Sequence, residues 1–278
     1  TSRILLWIAL NSLSTVCLSN ENSNLPYSKL PDYSTDSSQA RVQEAALSVN
    51  EPIYFVLGGR DQVKARLQYS FKYRIFDEAG LFVQRAEWLR GLHLSYTQSS
   101  LWNISETSAP FEDSSYRPSL FWDLFSNESV YFPSFIRSGY EHESNGQAGD
   151  SSRSIDTLFA WLFWDGQIGD YQWIVAPKLY GYLTTGGENE DIDEFRGYVD
   201  LYLRFGNEDG LLLSTTIRAP SRHRTMIVAD LSYPIREKIF ARTGGYLYIQ
   251  VFQGYGESLL SYNKKADTKV RFGMAIVR

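Results

Sequence analysis

Cysteine is nearly missing from this chain: Cys17 is the single one in 278 residues. It lies in a leader-like segment, and cleavage after Ser19 leaves the remainder with none. A disulfide framework and thiol chemistry are thereby excluded. Excess positive charge is lacking too. The net charge is −5, which excludes a nucleic-acid partner held by a general basic surface. Beyond the N-terminus no stretch approaches the roughly 18 uninterrupted apolar residues of a membrane helix. Mean hydropathy, −0.30, resembles that of an ordinary soluble protein. A β-barrel gives the same average, because its strands alternate apolar and polar residues.

What is present begins with "TSRILLWIALNSLSTVCLS". One Arg, an apolar run from Ile4 to about Leu10 and then small residues read as a secretory signal over 1–19. A lipobox built on Cys17 fits less well, since Val16 is larger than the small residue expected before a lipidated cysteine. Residues 20–60 are rich in Ser, Asn, Pro and acids and carry no period. They read as a weakly structured N-terminal arm, within which "PIYFVLGG" is either a strand or a packed segment. The chain starts without Met and ends on Arg278, where bacterial outer-membrane barrels usually end on an aromatic residue. Either it is clipped at its ends or it uses a variant terminal signal. An exported, cysteine-free chain with 19 Tyr, 16 Phe and 7 Trp points to the periplasm, the cell exterior or the outer membrane.

From residue 61 the pattern changes. Val63, Ala65, Leu67, Tyr69, Phe71, Tyr73 and Ile75 alternate with Lys64, Arg66, Gln68, Ser70, Lys72 and Arg74. This is a period of two without exception, the signature of a strand with one apolar and one charged face. The run exceeds the usual soluble strand of about 5–6 residues and suffices for a tilted membrane crossing of about 9–11. The pattern recurs from Phe195 to Phe205, through Leu211, Leu213, Thr215 and Ile217, and from Ile227 to Tyr233. Aromatic residues cluster near the ends of these runs, as interfacial girdles require. Residues 61–278 therefore read as an all-β, closed, antiparallel transmembrane barrel of about twelve strands. Its polar faces are expected to fill the lumen with side chains.

The same parity bears on "GYEHESNG" and "SSRSID". His142 and Ser144 share a face with Ile136 and Tyr140, the lipid-facing side. Asp156 shares the face of Leu158, Ala160 and Leu162 on the following strand. Either hydroxyl or imidazole alone is at home in a headgroup layer. Together they are a nucleophile, a base and a carboxylate at one end of two adjacent strands, the geometry of Ser–His–acid catalysis. Ser144 Oγ needs a base, imidazole supplies one, and Asp156 would orient it and stabilise the imidazolium. The loop "SNGQAGDSSRS" offers the Gly146 N–H to an oxyanion and oxygen ligands suited to calcium.

These motifs are similar to the active-site signature of the outer membrane phospholipase A family, also called detergent-resistant phospholipase A. The resemblance extends through "LSYTQSSLW", "APFEDSSYRP", "LSYPI" and "YIQVFQGYGESLLSYN". It covers most of the chain after residue 60 and little before. It implies a twelve-stranded outer-membrane barrel hydrolysing acyl esters of phospholipids, with A1, A2 and lysophospholipase activity, calcium-dependent and active as a homodimer. By position, Ser144 resembles the nucleophile, His142 the base and Gly146 the oxyanion donor. The Ser152 hydroxyl and the Gln147 carbonyl resemble calcium ligands, with Arg usual in place of Gln147. Ser108 resembles the serine that a partner subunit adds to the same calcium, and Gln98 the residue that hydrogen-bonds across the dimer interface. The family usually has Asn where this chain has Asp156, and an ionised Asp stabilises an imidazolium more than a neutral amide does. Some relatives have an acidic residue at the position of Gly149, serving a second calcium site. The run "ENEDIDE" could bind calcium through Glu188, but it reads more simply as a solvated loop.

Two other readings remain. A small porin or adhesin would be a barrel without an enzyme, but a selective channel needs a lumen partly free of side chains. A secreted β-sandwich esterase would leave membranes without detergent.

Overall fold

The structure, a computed structural model, describes residues 45–59, 62–77, 79–125, 131–221, 223–235 and 245–278. The expected signal over 1–19 and most of the arm over 20–60 lie outside the described residues. The strands are β1 (Leu47–Val49), β2 (Ile53–Gly58), β3 (Lys64–Arg74), β4 (Leu92–Asn103), β5 (Phe111–Phe125) and β6 (Phe135–Ser144). They continue as β7 (Ser154–Ile168), β8 (Tyr171–Thr185), β9 (Val199–Gly206), β10 (Leu212–Arg218), β11 (Met226–Ile235), β12 (Gly245–Tyr255) and β13 (Lys265–Val277). Each pairs antiparallel with its neighbour in sequence from β2 onward, and β13 pairs with β2, so the sheet closes.

β1 and β2 both lie against β3, one opposite Phe71–Tyr73 and the other opposite Lys64–Gln68. They are two halves of one wall strand, so thirteen segments make a twelve-stranded barrel. The wall thus begins before residue 61. Its first strand lies in what reads from the sequence as the end of the arm, where Asn50 and Pro52 interrupt the alternation. The β13–β2 pairing joins the two ends of the sheet, and such closure is what allows a sheet to cross lipid.

The outside is apolar. Tyr69, Phe71 and Tyr73 of β3 are exposed, as are Leu158 of β7 and Leu213 of β10. The inside is charged. Lys72 and Ser70 are buried on the opposite face of β3. Asp123 receives two hydrogen bonds from Arg137, at 2.7 and 2.9 Å, and faces Lys72 at 3.5 Å. Glu143 pairs with Arg196 at 2.6 Å, and Asp200 with Arg218. Removing one member of such a pair strands a charge in a low dielectric, which is costly even where the intact pair adds little net stability. They leave a cavity of about 300 Å³, lined by Glu51, Arg117, Trp161, Asp200 and Gln250 among others.

The structure departs from strict alternation at the end bearing the β6–β7 loop. Phe195 and Arg196 belong to a short helix, α1 (Ile192–Arg196), and β9 starts only at Val199. Gly197 makes the break with φ +65°. Ile192 packs with Ile155, Leu259 and Tyr262 in an apolar cluster at this end of the barrel that period-two reasoning does not anticipate.

Candidate active site

The β6–β7 register sets His142 directly opposite Asp156, and Ser144 opposite Ser154. Alternation then turns Ser144, His142 and Tyr140 outward, while Glu143 and Arg137 face the lumen. His142 Nδ1 and Asp156 Oδ1 are 2.8 Å apart. With Nδ1 as the donor, Nε2 is the nitrogen left to accept a proton. Both side chains are partly exposed, at 34% and 25%, as a site on the barrel exterior requires. Ser144 Oγ has no hydrogen-bond partner among the described residues.

Asp156 has two further donors that sequence reasoning missed. The Tyr140 hydroxyl donates to Oδ1 and the Thr184 hydroxyl to Oδ2. Tyr140 is legible from parity, two residues before His142. Thr184 is not. On β8, Leu179 and Leu183 are exposed and Lys178 lies in the lumen, so strict alternation would send Thr184 inward. The register shifts between Asp156 and Thr157, passing from Thr184 to Tyr182. This bulge skips Leu183 and re-aims Thr184 at the carboxylate, a common use of an extra strand residue.

The loop after Ser144 is organised by Asn145, another residue not singled out from the sequence. Asn145 is buried. Its Oδ1 accepts from the Arg153 N–H at 2.9 Å and the Gln147 N–H at 3.3 Å, and its Nδ2 donates to the Ser151 carbonyl at 2.8 Å. Asn189 supports the far side, bonding both the N–H and the carbonyl of Ser154. Gly146 has φ +66°, and a Cβ there would meet the Tyr116 ring at 3.1 Å. Only glycine fits that turn without strain. Ser152 donates its N–H to the Gly149 carbonyl at 2.8 Å.

Gln98 is on the outer face of β4, opposite Tyr116, which is itself opposite Ser144. Its Oε1 accepts from Tyr69 at 2.6 Å and Tyr96 at 3.0 Å, and its Nε2 donates to Ser100 Oγ at 3.2 Å. Ser108 lies in the β4–β5 turn with φ +67°, at the same end of the barrel as the β6–β7 loop. Glu188 is exposed. Among the described residues no cluster of three or more His, Cys, Asp or Glu could hold a metal.

A family model described as Phospholipase A1 matches residues 19–276. A putative phospholipase A1 of Neisseria meningitidis serogroup B is 30% identical over 224 residues, covering 76% of this chain and 54% of its own length. This chain spans only about half to three fifths of the curated relatives it matches. Outer membrane phospholipase A from Escherichia coli superposes with a TM-score of 0.69 at 25% identity, covering 84% of this chain and 94% of that one. The Salmonella typhi outer membrane phospholipase dimer with bound calcium shares the fold, with a TM-score of 0.67 at 24% identity and coverage of 82% and 91%. The chain belongs to the phospholipase A1 family.

Proposed function

We propose that this chain is a calcium-dependent phospholipase that hydrolyses acyl esters with Ser144, His142 and Asp156. The observation that carries the reading is the His142–Asp156 hydrogen bond on the lipid-facing side, two residues from Ser144. The barrel lies in the outer membrane of a Gram-negative bacterium, as its closed, apolar-sided wall and its outer-membrane relatives indicate. A substrate lying in the bilayer reaches such a site without leaving lipid.

Ser144 Oγ attacks the ester carbonyl carbon while His142 Nε2 takes its proton. Asp156 holds the Nδ1–H tautomer and stabilises the imidazolium. The tetrahedral oxyanion accepts a hydrogen bond from the Gly146 N–H. On collapse the C–O bond breaks, and the leaving alcohol takes the proton from His142. Water, deprotonated by His142, then releases the fatty acid and restores Ser144.

The loop fits calcium, a cation that takes 6–8 oxygen ligands. The N–H groups of Gln147 and Ser152 are engaged within the loop, and among the described residues the Gln147 carbonyl and Ser152 hydroxyl oxygens have no hydrogen bond. Calcium bound there would supply positive charge near the oxyanion. The Gln147 carbonyl and the Ser152 hydroxyl are few ligands for such an ion, which supports the reading that Ser108 of a second copy completes the set and that dimerisation activates the enzyme. Gln98, on the outer face, is the polar group proposed for that interface.

The test is fatty-acid release from phospholipid micelles by the folded protein, with and without calcium. Release that needs calcium and Ser144 is expected. No release at any calcium concentration would favour a non-enzymatic barrel.

A further inference from the structure

We infer that Thr184 and Tyr140 are positioning residues that allow a carboxylate to serve as the third member of this triad. The inference rests on the catalytic reading above and concerns how Asp156 is held.

A carboxylate at the outer face of a membrane barrel has only acceptor oxygens and little water to satisfy them. Asp156 is provided with three donors. His142 Nδ1 and the Tyr140 hydroxyl converge on Oδ1, and the Thr184 hydroxyl meets Oδ2. The three come from the two strands that flank Asp156 on β7, β6 supplying two and β8 the third. Two of the donors are hydroxyls and carry no charge of their own, so they hold the anion without neutralising it. Its negative charge remains directed at the imidazole. Thr184 reaches it only because the β8 bulge turns it outward.

An asparagine at position 156 would make different demands. Its amide oxygen can accept from His142 and Tyr140, and its amide nitrogen would donate to Thr184, whose hydroxyl can reverse its role. Neutral hydrogen bonds are about half as strong as those to an ionised acceptor. The two hydroxyls thus matter more to Asp156 than they would to an asparagine in its place. Neither touches substrate in this scheme, so their effect should fall on turnover and not on KM.

The experiment measures kcat and KM for calcium-supported fatty-acid release by full-length, refolded protein, with folding checked by heat-modifiable gel migration. Thr184→Val, Tyr140→Phe and their combination are made with Asp156 and again with Asp156→Asn. With Asp156, the double variant should lose about tenfold or more in kcat at unchanged KM, following the loss of two charge-assisted bonds. With Asp156→Asn the same pair should cost less than about threefold. Equal losses in the two backgrounds, or a double variant within about twofold of the parent, would overturn the inference while leaving the triad intact. Ser144→Ala run in parallel separates the two claims. If it retained activity, the catalytic reading itself would fall and this inference with it.

Discussion

His142 and Asp156 face one another across the β6–β7 pair, Nδ1 to Oδ1 at 2.8 Å, on the outer wall of the barrel. The contact is a cross-strand pair in register, so it needs no loop to bring it together, and any residue at 156 inherits the position. Ser144→Ala and His142→Ala should each lower fatty-acid release by at least about a thousandfold, because the members of such a unit fail together. Asp156→Asn should retain most of the activity and Asp156→Ala should lose it substantially. Titration of released fatty acid, with gel migration as the folding control, measures all four.

Calcium affinity should separate side-chain from backbone ligation. Ser152→Ala removes a hydroxyl proposed to ligate the ion and should raise the calcium concentration needed for half-maximal activity by about tenfold, the scale seen when a contact to a metal site is lost. Gln147→Ala keeps the carbonyl and should leave calcium dependence nearly unchanged. Activity against calcium concentration in a buffered series distinguishes them, and chelation should abolish release in the parent.

Dimer strength should depend on Gln98. Its Oε1 already accepts two hydroxyls in its own chain, and one N–H goes to Ser100. One amide hydrogen is left for a partner. Gln98→Leu should cost about 1 kcal/mol of association, the usual scale for a polar contact within a membrane. Sedimentation in detergent would show a several-fold weaker dimer, with calcium-dependent activity falling in parallel.

Stability should depend on the lumen independently of catalysis. Asp123 is the carboxylate shared by Arg137 and Lys72, at the end of the barrel away from Ser144. Asp123→Leu should destabilise the fold by about 3–5 kcal/mol, read as an earlier urea midpoint, while kcat of the folded fraction stays near the parent value.

The fold was legible where alternation runs unbroken. β3 shows it plainly: Tyr69, Phe71 and Tyr73 are exposed on the outside while Ser70 and Lys72 are buried on the lumen face, as the sequence pattern states. The paired ends were not legible. At 47–58 the sequence leaves "PIYFVLGG" as either a strand or a packed segment, because two short runs separated by Asn50 and Pro52 carry too little period to decide, yet they close the barrel. At 192–198 the apparent alternation around Phe195 is a helix and a glycine break, because Ile192 packs into an apolar cluster with residues from β7 and from the β12–β13 connection.

For the site, the chain's own order determined that Ser144, His142 and Asp156 share one face, since side chains on a strand alternate with a fixed period of two. Tertiary structure decided what surrounds them. Asn145 and Asn189 bind the loop ends through backbone groups that no sequence pattern marks. Thr184 sits on the inward parity of its strand, and only the register shift between β7 and β8 brings its hydroxyl to Asp156. Parity is a local property of each strand, whereas a bulge depends on how two strands are paired, and pairing exists only in the folded sheet.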